Sequence, residues 1–236
     1  MNRLVKSAVT GLVALLIGTA AQAEILTLKF DGFVNGSRSG KINPMPDGFN
    51  GVAAGQFKFN VEDGDFWLDE LRAFCIDTTT ALVTAESATF KKKAAAQGLA
   101  SEQLSLIGQL FDNNFSALGS STADAAFQLA LWEIIYDFEN PFDLKNDSFE
   151  VVSGFGEPNG AFGLATTWLG ALQKNADHMS SDFEFFVLDP VAPESNQTLL
   201  TWKPKAVPEP GSLALIAIGL LLVLGLRQRR LHARAV

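Results

Sequence analysis

STADAAFQLALWEIIYD, residues 121–137, is the stretch on which the reading of the fold turns. Phe127, Leu131, Ile134 and Ile135 recur at helical spacing, and Ser121 with Asp124 three residues on makes a capping-box pattern. An amphipathic helix with Ser121 as its N-cap is expected. Gln128 is out of place in it. Four and seven residues on lie Trp132 and Ile135, so Gln128 belongs to or beside the apolar face. A buried primary amide without partners costs about 1–3 kcal/mol, and a helix built only for packing would carry Leu or Ala there.

Outward from this helix, the ends of the 236-residue chain read as addresses. Residues 1–23 form a signal peptide: Arg3 and Lys6, an apolar run from Val9 to Ile17, and the cleavage triplet Ala21-Gln22-Ala23. Residues 206–236 hold Val207-Pro208-Glu209-Pro210, an apolar run from Leu213 to Leu226, and Arg227, Arg229, Arg230 and Arg234. The run is shorter than the ~20 residues that comfortably span a bilayer, so a marginal or tilted span is expected. The arginines would stay in the cytoplasm and the middle of the chain outside the inner membrane. A plain C-terminal anchor fits the same composition.

All 26 acidic residues lie between Glu24 and Pro210, against 12 of the 18 Lys and Arg, so this part has a net charge of −14. Such a surface repels phosphate backbones, and no nucleic-acid partner is expected.

The tail resembles the PEP-CTERM sorting signal of Gram-negative bacteria in the order and spacing of its parts. The resemblance implies an exosortase, a membrane-embedded cysteine protease-transpeptidase, cutting near Pro208, Glu209 and Pro210. The released domain would go to the cell surface or an extracellular polysaccharide matrix.

For the domain at 24–205 the pattern predicts an α+β fold, with strands at both ends and helices inserted between them. Strands are expected at 24–33, 52–61, within 66–80, at 82–90, 148–153, 183–188 and 197–202, with a loop at 34–51. Helices are expected from Lys91 through Phe115, over the central stretch, and at 161–172. The acidic turn Glu62-Asp63-Gly64-Asp65 lacks EF-hand spacing and reads as a solvated turn, with calcium the alternative. His178 stands alone in a polar loop. No Cys/His cluster, phosphate-binding glycine motif or Ser-His-Asp arrangement is present, so no metal, cofactor or enzymatic turnover is expected.

Cys75 is the one cysteine of the chain. An exported protein with a single cysteine forms no internal disulfide, so this thiol is either a buried apolar residue or a functional one. Attack of the sulfur on the Gln128 carbonyl would expel ammonia and leave an internal thioester, if a strand and a helix hold the two groups at near-attack distance. Phe74, Phe127 and Trp132 would help exclude water.

The segments FCID (residues 74–77) and AFQLALW (126–132) resemble the motifs of the Cys-Gln thioester domains of bacterial surface proteins. Gln128, Ala130, Leu131 and Trp132 match, while Phe127 replaces the usual hydroxyl residue. The resemblance implies Cys75 and Gln128 as cross-link residues, a supporting pocket of Phe74, Asp77, Phe127 and Trp132, and adhesion through an amine-bearing surface or matrix polymer. The alternative is a non-covalent structural or polysaccharide-binding component of a biofilm matrix, in which Trp67, Trp168 and Trp202 stack on sugars.

Overall fold

The structure is a computed structural model that describes residues 24–64, 70–174 and 177–205. Both end segments, the sorting motif and Trp67 lie outside the described residues.

The nine strands are β1 (Glu24–Phe33), β2 (Arg38–Asn43), β3 (Val52–Ala54), β4 (Phe57–Asp63), β5 (Glu70–Cys75), β6 (Ala88–Ala94), β7 (Glu150–Gly154), β8 (Phe183–Ala192) and β9 (Leu199–Pro204). The helices are α1 (Ser101–Asn114), α2 (Ser121–Asp137) and α3 (Gly160–Gly170). Six strands close into an antiparallel barrel in the order β1-β4-β5-β9-β8-β6, and β3-β2-β7 form a separate small sheet. The mixed composition of one strand-rich domain agrees with the α+β expectation. The closure does not follow from it: the last strand inserts between β5 and β8 rather than adding to an edge.

α2 has the expected bounds and a different character. Every residue from Ala123 to Ile134 is buried, so the helix is enclosed on all sides rather than amphipathic. It packs against α3, α1 and strands of both sheets. Its N-cap is Ser120, whose Oγ accepts the Ala123 N–H at 3.1 Å, not Ser121. Asp124 does not close a capping box; it accepts from the Asn35 side chain and the Gly119 N–H.

Other expectations also shift. Residues Lys91 to Ala94 are strand, because β6 has a partner on each side, β1 and β8, and ladder pairing overrides the helix preference of the lysine triplet. Lys93 pairs with Asp189 at 2.6 Å and Lys92 with Glu24. Residues 81–87 form no strand. The expected loop at 34–51 contains β2, which the β3 and β7 edges complete.

Where β5 and β9 pair, residues 73–75 and 199–202 are buried on both faces. Phe74 stacks on Phe127 at 4.8 Å and on Trp202 at 5.5 Å, and Phe111 of α1 meets Phe127 edge-on. These rings clamp the β5-β9 pair to α1 and α2. Trp168 and Trp202 are therefore buried core residues, as aromatic residues of this size usually are, and do not form a sugar-stacking face.

Candidate functional site

Four polar side chains lie buried in α2, and each is tied to backbone elsewhere. Asp124 holds the Gly119 turn, Glu133 accepts the Asp143 N–H, and Asp137 accepts from Ser148 and Phe149. Gln128 reaches the end of β5. Its Oε1 accepts the Cys75 N–H at 2.9 Å and its Nε2 donates to the Cys75 carbonyl at 2.8 Å. A carboxamide matches a peptide group donor for acceptor, so both buried backbone groups are paired at the point where the strand ends. Gln128 and Cys75 are both essentially inaccessible to solvent.

The Cys75 thiol is free. Its Sγ donates to the Asp77 carbonyl at 2.9 Å and accepts the Asp77 N–H at 3.3 Å. Burial pushes the thiol up to about 12, against the opposing pull of the Asp77 backbone and the Trp132 indole. At pH 7 the thiol is protonated.

The Asp77 carboxylate is turned away from the sulfur. Its Oδ1 accepts from the backbone and hydroxyl of Thr79 at 2.9 and 2.7 Å. Burial raises its pKa, hydrogen bonds from Thr80 and Thr79 outweigh that, and the carboxyl lies below its ordinary value. Any orienting role at Cys75 thus belongs to the Asp77 backbone. Thr78 next to it donates from its N–H and its hydroxyl to Tyr136 OH, tying this turn to α2.

Cys75 lines a cavity of about 250 Å³ whose wall includes Phe30, Phe33, Val52, Phe57, Leu82 and Trp132. Phe74 and Phe127 are absent from that wall; they support the site from the opposite face of β5. Only Trp132 of the expected aromatic residues meets the sulfur's own surroundings. The cavity walls come from β1, β4, the residues before β3 and the loop after β5, a convergence no local pattern announces. Gln197 also belongs to this wall, and sequence inspection passes over it.

His178 is not alone. Its Nε2 is 2.9 Å from Asp112 Oδ2, and the Ser180 hydroxyl donates to Asp112 Oδ1 at 2.6 Å. Serine and histidine both bind one carboxylate, which is not the nucleophile-base order of a hydrolase. Among the described residues no group of three or more His, Cys, Asp or Glu is placed to hold a metal.

The comparisons bear on the tail and on the domain separately. Residues 206–230 match the PEP-CTERM protein-sorting motif. This chain carries an exosortase sorting signal. The motif implies processing by an exosortase, export, and a membrane-anchored intermediate in a Gram-negative bacterium. Among the described residues no helix is long and apolar enough to cross a membrane, and the expected span lies outside them. No curated protein matches the chain in sequence.

Among solved structures, the domain is similar to the N-terminal thioester domain of a surface protein from Clostridium perfringens. That likeness has 14% identity and a TM-score of 0.42, over 77% of this chain and 99% of that one. A variant of the same domain with a cysteine replaced by alanine gives 15% identity and 0.42, over 72% and 99%.

Proposed function

We propose that the exported domain forms an internal thioester between Cys75 and Gln128 and uses it once, to attach itself to an amine on a neighbouring surface or matrix polymer. The observation that carries this reading is the reciprocal pair of hydrogen bonds between the Gln128 amide and the Cys75 backbone. It fixes the carboxamide against the residue that bears the only thiol of the chain.

The same bonds suit the chemistry. The Cys75 N–H on Oε1 is a donor already aimed at the oxygen that gains charge when sulfur adds to the carbonyl carbon. In formation, the Cys75 S–H bond and the Gln128 Cδ–Nε2 bond break. A Cδ–Sγ bond forms, and the thiol proton leaves with the amide nitrogen as ammonia. Burial opposes the thiolate, but the product sulfur carries no charge, so the same burial does not penalise the thioester. Cys75 and Gln128 are both buried from solvent, which slows its hydrolysis.

Capture reverses the roles. A primary amine adds to Cδ, the Cδ–Sγ bond breaks, one amine proton ends on sulfur, and an amide remains. The Trp132 indole, which already favours charge on the Cys75 sulfur, lines the same cavity and stands ready for the departing sulfur.

Methylamine tests the reading. Incubation of the exported protein should place one methylamide on Gln128, located by peptide mapping, and release one titratable thiol at Cys75. A thiol that titrates fully before methylamine is added, with Gln128 unmodified afterwards, would refute it. Of the tryptophans of the sugar-stacking alternative, Trp168 and Trp202 are buried and Trp67 lies outside the described residues.

A further inference from the structure

The cavity beside Cys75 has a composition that says more about its ligand than the word amine. Among the described residues no charged side chain lines it; its polar groups are the hydroxyls of Thr78 and Thr84, the Cys75 thiol, Trp132 and Gln197. One of these is orphaned: Gln197 Oε1 is buried without a donor among the described residues, while the Trp132 indole acts on the Cys75 sulfur. Gln197 stands two residues before Leu199, the cross-strand partner of Cys75, and lines the same cavity as the sulfur. The remaining wall is aromatic and aliphatic, and the half-exposed Phe49 belongs to it as well.

Size and polarity then restrict the guest. An apolar cavity of about 150 Å³ accepts a benzene ring, and this one, at about 250 Å³, takes roughly a ring with a short chain or six to eight carbons. A second charged group held inside the cavity would meet no counter-ion on its wall. An amino sugar would bring hydroxyls that exceed the available partners. A desolvating, uncharged wall also favours the neutral amine over the ammonium, and only the neutral form has a lone pair for attack.

We propose that this cavity selects a primary amine at the end of a hydrocarbon chain or ring, with no second charge, whose N–H is received by Gln197 Oε1. The inference rests on the thioester reading for its covalent step, while the selectivity belongs to the cavity itself. Gln197 is a positioning residue: it holds the nitrogen, and the bond changes occur at Cδ and Sγ.

Two arms separate the claims. In the first, the exported protein is incubated with methylamine, hexylamine, hexamethylenediamine or glucosamine at equal free-base concentration, and adducts are followed by intact mass. Hexylamine should outpace the diamine and glucosamine by about tenfold or more. The rate should rise by up to roughly fourfold per added methylene until the cavity is full. Gln197→Leu should slow hexylamine about tenfold while leaving the ammonia deficit of the unreacted protein unchanged.

In the second arm, the exported Cys75→Ala protein, which has no sulfur to react, is titrated with the same amines by calorimetry. Saturable hexylamine binding, with the diamine about tenfold weaker, is expected. Equal adduct rates for hexylamine and diamine, or no saturable hexylamine binding to Cys75→Ala, would overturn the proposed selectivity. No adduct in the first arm together with selective binding in the second would refute the thioester and leave the selectivity standing.

Discussion

At the scale of single residues, Gln128 does two jobs with one amide. It pairs the backbone N–H and C=O of Cys75 at the end of β5, and so lies against the residue that carries the one thiol of the chain. Gln128→Ala would leave the Cys75 N–H and C=O buried and unpaired. A loss of about 2–4 kcal/mol in urea denaturation is expected, well above the usual cost of a helix-surface substitution. Glu133 is the other exposed weakness of the interior. Its Oε2 has no partner among the described residues, and burial, reinforced by the charges of Asp137, Asp143 and Asp147, pushes it up to about 8. The folded protein therefore keeps a proton that the unfolded chain gives up above its ordinary value of 4.5. Stability falls as pH rises from 4.5 towards about 8, and this contribution levels off beyond it. Glu133→Gln keeps an acceptor for the Asp143 N–H and removes the titration. The variant's melting temperature should match the parent near pH 5 and exceed it at pH 9, and a constant gap across that range would contradict the assignment.

At the scale of elements, α2 is a buried post whose polar side chains each hold a different piece of backbone. Its start is decided by Ser120, so Ser120→Ala should cost about 1 kcal/mol and Ser121→Ala less than about 0.5, read from thermal unfolding. The reverse order would restore Ser121 as the cap. This contrast also shows what the chain reveals unaided. The helix bounds were legible because seventeen residues without Gly or Pro, rich in Ala and Leu, leave little else to form. Gln128 was legible because an amide is costly among apolar neighbours, and Cys75 because it is solitary. The lysines of β6 misled: Lys91 to Ala94 look like the start of a helix, and only partners far along the chain make them strand. Gln197 and the ring-lined cavity were invisible for the same reason. Strand pairing across more than a hundred residues brings Leu199 to Cys75, and no local spacing encodes it.

For the whole molecule, a closed barrel protects its six strands by having no free edge, which suits a domain that is exported. The described domain ends at Lys205, whose N–H still pairs with Asp182, and the sorting motif follows at once. Folding and sorting are thus assigned to adjoining but separate parts of the chain. Replacing Pro208, Glu209 and Pro210 by alanines should leave the full-length chain in the membrane fraction, with the domain's unfolding temperature unchanged. Release at the normal rate would show that processing does not depend on the motif.

The central claim, that a sulfur at the end of β5 and an amide on α2 become one bond, is tested most directly by the intact mass of freshly exported protein. The account predicts a mass below that of the processed chain by one ammonia, with the deficit abolished in Cys75→Ala. A full mass, in protein whose Cys75 becomes titratable merely on unfolding, would contradict it.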